Sequence, residues 1–192
     1  MAALENAGLS EDFMKTPRFR IAGAMYYITT VVYGRLKIFT KPSFIIPLID
    51  SLNFYRYQHK IKLIGYVIML DHFHIIVYPE NEKAITDFMR DFKRFTSGRI
   101  ARQAELEGNT DWLEHFRQAG SKTNRAEMKV WQDHFWEVCV YSENFLNQKL
   151  NYIHLNPVRG GLVPEPGLYP YSSFRNYHLE DHSLIEIDQD WW

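Results

Sequence analysis

The stretch Ile64–Val77, IGYVIMLDHFHIIV, constrains this chain more than any other. Two apolar runs meet at a short polar break, Leu70-Asp71, and runs of this length bounded by a break read as two strands paired antiparallel. Strand side chains alternate between faces, so His72 and His74 point one way and Phe73 the other. Two imidazoles on one face of a buried strand can hold a metal ion. The chain has 8 histidines, so a His-x-His pair can also arise by chance, and the pair needs support from elsewhere in the sequence.

The remaining elements follow from periodicity. Ala24–Val32, AMYYITTVV, is β-branched and aromatic and predicts a strand. A turn with Arg35 and Lys37 follows, then a helix over 43–57, with Ile45, Leu48, Ile49 and Leu52 as core and Pro47 in its early turns. The paired strands are expected over 61–70 and 72–78. The next helix is expected over 82–104, with Ile85, Phe88, Met89, Phe92 and Ile100 as its apolar stripe. Between residues 83 and 102 Lys83, Arg90, Lys93, Arg94, Arg99 and Arg102 stand against Asp87 and Asp91 alone, with Phe92 and Phe95 among them. The run reads either as a solvated face or as a surface for phosphates.

Residues 105–130 read as a loop, an insertion, or a short helix near Trp112–Gln118. Trp136–Tyr141 predicts a fourth strand, and Ser142 an N-cap for a helix that Pro157 should stop. The order strand, helix, strand, strand, helix, strand is that of the ferredoxin-like split βαβ arrangement. The expected fold is therefore α+β: an antiparallel central sheet, two helices on one face, and a C-terminal helix carrying Tyr152. Residues 1–17 are expected as a flexible arm, with a basic-aromatic patch at Arg18-Phe19-Arg20. A single domain is expected over 18–178, and 179–192 as an acidic tail closing on Trp191-Trp192.

At 192 residues, with 46% apolar residues, the chain can bury the core of one ordinary domain. The lone cysteine, Cys139, excludes an intramolecular disulfide and a cysteine-rich zinc site. No apolar run reaches membrane-spanning length, and MAALENAGLSEDF is not a secretory leader, so a cytoplasmic protein without membrane contact is expected. A net charge of -1 argues against a uniformly basic nucleic-acid binder and leaves the question to local patches.

In the last helix Tyr152 and Asn156 are four apart and share a face. They can be an ordinary packed aromatic and a helix-end amide. An amide oxygen such as that of Asn156 also suits a hard ion such as Mg²⁺ or Mn²⁺ beside two imidazoles. A tyrosine one turn away could then attack a phosphate bound to that ion.

GYVIMLDHFHIIV resembles the His-hydrophobe-His segment of the HUH nucleases. KLNYIHLNPVRGGLV closely resembles the tyrosine helix of single-tyrosine transposases, especially the REP-associated tyrosine transposase family. TVVYGRLKIF, FMRDFKRFTSGRIAR and YPYSSFRNY look like further segments of that family, in its order, across roughly residues 20–177. The resemblance implies His72, His74 and Asn156 as ligands of a divalent metal ion (Mg²⁺ or Mn²⁺), and Tyr152 as nucleophile. It implies a DNA endonuclease and strand transferase acting on single-stranded DNA next to a hairpin, through a 5′-phosphotyrosine that leaves a 3′-hydroxyl.

Lys93, Arg94 and Arg99 are the leading candidates for phosphate contacts, then Arg159 beside the helix end, then Arg35 and Lys37. Asp71 departs from the asparagine such proteins often have and places a carboxylate beside the metal. Tyr141 lies too far along the chain from Tyr152 to serve the same face, so one attack per site is expected; a homodimer would supply two. Two other readings share these residues. One is a DNA-hairpin-binding protein without chemistry, which has no need of the full set of four. The other is a replication-initiator or relaxase-type nuclease, which usually orders these motifs differently.

Overall fold

The computed structural model describes residues 23–81, 83–122 and 127–190. The expected arm at 1–17, the Arg18-Phe19-Arg20 patch, Arg125 and Trp191-Trp192 lie outside the described residues.

Four strands, β1 (Met25–Val31), β2 (Ile61–Ile68), β3 (His72–Pro79) and β4 (Trp136–Val140), form one antiparallel sheet in the order β2-β3-β1-β4. β-Branched and aromatic residues alternate along β1 and β3 and separate two apolar layers. Phe73, Ile75 and Val77 of β3 face α1 (Pro42–Gln58) and α2 (Ala84–Leu106), whose Leu48, Leu52, Phe88 and Phe92 are fully packed there. Ile76 of β3, with Tyr27, Ile64 and Val67, faces Leu146 and Ile153 of α4 (Glu143–Arg159) on the other side.

The expected helices over 43–57 and 82–104 form with ends shifted by one or two residues. The segment 105–130 is more regular than expected: α3 (Thr110–Ser121) buries Leu113 and Phe116 in the α1–α2 layer. Its amphipathic stripe was legible only around Trp112–Gln118 because Gly108 and Gly120 flank it.

α4 begins as expected, the Ser142 side chain accepting from the Phe145 N–H at 3.2 Å. It does not stop at Pro157. The helix runs to Arg159, and the Asn156, Pro157 and Val158 carbonyls accept from the N–H groups of Gly160, Leu162 and Gly161. Proline in the last turn sacrifices little when the carbonyls around it are capped this way, and Gly161 at φ +68° turns the chain out. Asn156 therefore keeps its helical spacing from Tyr152. α4 is also not the last helix: α5 (Phe174–His178) follows.

β2 is a sheet edge, and the chain's end covers it. Ile68 donates to the Tyr171 carbonyl, Ser173 to the Tyr66 carbonyl, and Tyr66 to Ser173 Oγ at 3.0 Å. Farther along, Asp188 donates its N–H to the Leu63 carbonyl and takes the Leu63 N–H on its carboxylate at 2.7 Å. The nearly buried Arg56 holds the same carboxylate at 2.8 Å. Ile185 and Ile187 tuck into the core beside it.

Candidate active site

The site grows from the pairing of β1 with β3. The register sets Thr29 opposite His74 and Val31 opposite His72, on the face that α4 partly covers. The two imidazoles stand edge to face with ring centroids 4.8 Å apart. His74 is buried, and its Nδ1 lies 2.7 Å from both the Tyr27 hydroxyl and Thr29 Oγ1. Its Nε2 is buried without a hydrogen-bond partner among the described residues. Burial, reinforced by the positive charges of His72, Lys149 and Arg35, holds its pKa well below the usual histidine value, so the ring is neutral. An Nδ1–H donating to either hydroxyl leaves Nε2 as a lone pair, the state a metal requires.

His72 is fixed by a second chain of contacts. Its Nδ1 lies 2.5 Å from Asp71 Oδ1, and Asp71 Oδ2 pairs with Arg35 Nε at 3.1 Å. Burial pushes the Asp71 carboxyl up, but the His72 hydrogen bond and the His72 and Arg35 charges outweigh it and hold it below the usual carboxylate range. A carboxylate on Nδ1 orients the ring and leaves Nε2 as the ligating atom, the usual support for a metal-binding histidine.

α4 brings Tyr152 to the imidazoles. Its ring centroid lies 5.5 Å from that of His74 and 6.2 Å from that of Tyr27, and the side chain remains 41% exposed. The Arg159 guanidinium sits 5.6 Å from the Tyr152 ring. Asn156, one turn beyond Tyr152, is buried. His154, between them, points away from the imidazole pair: its Nε2 meets the buried Ser173 Oγ at 3.1 Å and pins α4 against β2. Burial, with the His178 charge, lowers its pKa to about 4.

Among the described residues no group of three or more His, Cys, Asp and Glu side chains could hold a metal ion. The imidazole pair would need a donor of another type; the buried Asn156 amide, on the same helix as Tyr152, is the candidate that the sequence offers. The orphaned, neutral His74 Nε2 and the carboxylate-held His72 fit a divalent cation.

The expected phosphate contacts divide between two places. Arg35 and Arg159 lie at the site. Lys93, Arg94 and Arg99 sit on α2, which covers the opposite face of the sheet. Lys93 is held there by the Gln132 and His134 carbonyls at 2.8 and 3.0 Å, and Arg99 rests over the Phe95 ring at 5.9 Å. Lys37 is exposed beyond the turn. Sequence reasoning missed Tyr27, Thr29 and Lys149. Tyr27 and Thr29 were findable as an i, i+2 pair of hydrogen-bonding residues in β1, given its register with β3.

Residues 21–155 match the family described as IS200-like transposases. A Haemophilus influenzae protein named as a REP-associated tyrosine transposase is 25% identical over 160 residues, 79% of this chain and 80% of that one. The REP-associated tyrosine transposase of Escherichia coli is 30% identical over 70 residues, 35% of this chain and 42% of that one. The fold is similar to that of a REP-associated tyrosine transposase bound to a REP hairpin, with a TM-score of 0.57 and 18% identity across 91% of this chain and 89% of that one. With the match running through more than half of its length, this chain belongs to the IS200-like transposase family.

Proposed function

We propose that the chain cuts and rejoins single-stranded DNA beside a hairpin through a covalent link to Tyr152. The observation that carries this reading is the half-exposed Tyr152 ring 5.5 Å from His74, whose buried Nε2 has no hydrogen-bond partner among the described residues. His72, His74 and the Asn156 amide would hold Mg²⁺ or Mn²⁺. Bound there, the divalent ion would withdraw charge from a non-bridging oxygen of the scissile phosphate.

The other steps belong to the chain's own side chains. Position, in line with the scissile phosphate, makes Tyr152 a nucleophile. Its oxygen bonds to phosphorus as the bond to the 3′ oxygen breaks, giving a 5′-phosphotyrosine and a 3′-hydroxyl. The covalent link conserves the phosphodiester for rejoining to another 3′ end, so no nucleotide cofactor is consumed. Tyr27 and Thr29 hold His74 in one tautomer, and Asp71 holds His72. Arg35 and Arg159 offer charge to the strand's phosphates. The substrate is unpaired because an unpaired strand brings its phosphate to a site on the face of a sheet more readily than a duplex does. Both halves of the site come from one chain, so a single subunit suffices.

Incubation with labelled hairpin-bearing single-stranded DNA and Mn²⁺ tests this. A denaturant-stable adduct is expected that chelator abolishes and Tyr152→Phe reduces at least about 10³-fold. An adduct surviving Tyr152→Phe, or hairpin binding without any adduct, overturns the reading. Mixing His72→Ala with Tyr152→Phe protein should restore nothing.

A further inference from the structure

Lys149 lies one turn before Tyr152 on α4 and shares its face. Its stem is half-buried, and its ammonium stands 4.9 Å from the Tyr27 ring and 4.9 Å from the Phe145 ring. Tyr27 in turn bonds His74 and lies edge-on to Tyr152. Lys149 and Tyr152 therefore both meet Tyr27, and the three side chains cluster beside His74.

The charge around this cluster is uneven. Arg35 is engaged by Asp71. Lys149 has no carboxylate partner among the described residues; only aromatic faces meet it. Burial lowers its pKa, which marks an ammonium set partly out of water with no protein anion to compensate it. The strand-transfer reading places a phosphodiester beside Tyr152, and that group gains negative charge as the tyrosine attacks.

We propose that Lys149 is a further catalytic residue, whose ammonium holds a non-bridging oxygen of the phosphate that Tyr152 attacks. The proposal rests on the strand-transfer reading. As the Tyr152 oxygen–phosphorus bond forms and the phosphorus–O3′ bond breaks, the phenol proton leaves to solvent and O3′ takes one from solvent. Lys149 keeps its protons throughout. It stabilises charge that is larger in the transition state than in the bound strand, so its loss should fall on the rate more than on binding.

Lys149→Met separates this from a packing role, because its apolar stem can cover Tyr27 and Phe145 equally well. In single-turnover adduct formation with the hairpin strand and Mn²⁺, Lys149→Met is expected to lower the maximal rate about 10²-fold. Strand affinity should fall less than about fivefold, the melting temperature should hold, and Lys149→Arg should recover most of the rate. With a methylphosphonate at the scissile position, which removes one charged oxygen, the penalty of Lys149→Met should shrink toward none. A Lys149→Met rate within about threefold of wild type overturns the proposal while wild-type adduct formation leaves the strand-transfer reading standing. A wild-type chain that forms no adduct overturns both. Should Lys149→Met fail to fold, Lys149→Gln decides by the same measurements.

Discussion

The two faces of strand β3 show one sequence serving opposite demands. Phe73, Ile75 and Val77 are wholly buried beneath α1 and α2, among aromatic rings such as Phe92 and Trp131. Their neighbours His72 and His74 look toward α4, which covers the sheet only in part and leaves Tyr152 in contact with water. On the first face every atom is surrounded and the gain is in stability. On the second, a buried nitrogen of His74 has no hydrogen-bond partner among the described residues, next to the part-exposed Tyr152. On the proposed function, stability and reactivity are separated by the pleat of a single strand, one residue apart.

The separation can be broken by substitution. Phe73→Ala should lower stability by about 3–5 kcal/mol, since it opens a cavity in a packed layer, and urea denaturation would read it. His72→Ala, on a side chain 16% exposed, should shift stability by less than about 1 kcal/mol while abolishing Mn²⁺ binding in calorimetry. Equal losses on the two faces would refute the division.

A smaller effect concerns the anchor of α4. His154 binds a proton less readily folded, near pH 4, than unfolded, near 6.5. Its contribution is therefore complete above about pH 6.5 and is lost as pH falls toward 4, by roughly 3 kcal/mol. Denaturation midpoints across that window should show the decline, with a shallower slope in His154→Gln.

Smallest is the seam between α4 and the sheet. A Cβ on Gly65 would lie 2.8 Å from Leu150 Cδ2, so Gly65→Ala should cost about 1–3 kcal/mol. Leu150→Ala in the same chain should relieve part of that clash. Additive losses in the double variant would show that the approach at Gly65 is not what seats α4.

Much of this was legible in the sequence because local rules set it. Alternation gave β1 and the β2–β3 hairpin, helical spacing gave α1 and α2, and a serine before an acidic first turn gave the start of α4. The continuation through Pro157 was hidden, because it depends on three later N–H groups folding back onto the last carbonyls. The site was legible as residue types and not as contacts. His72, His74 and Tyr152 stood out by their motifs, whereas the support of His74 by Tyr27 and Thr29 exists only once the strand register is known. The basic residues of α2 were visible as a solvent-facing stripe, but no periodicity says which side of a sheet a helix will cover.

The covered edge of β2 has a consequence for the protein's solubility. Unpaired backbone along a sheet margin is a template for strand addition by other chains, and apolar β2, with IKLIGYVI, would be an adhesive one. Asp188 and the isoleucines beside it occupy that margin with this chain's own last residues. Proteolytic trimming before Leu184 would uncover the Leu63 end of that margin, leaving Tyr171 and Ser173 on the rest, and expose the chain to aggregation.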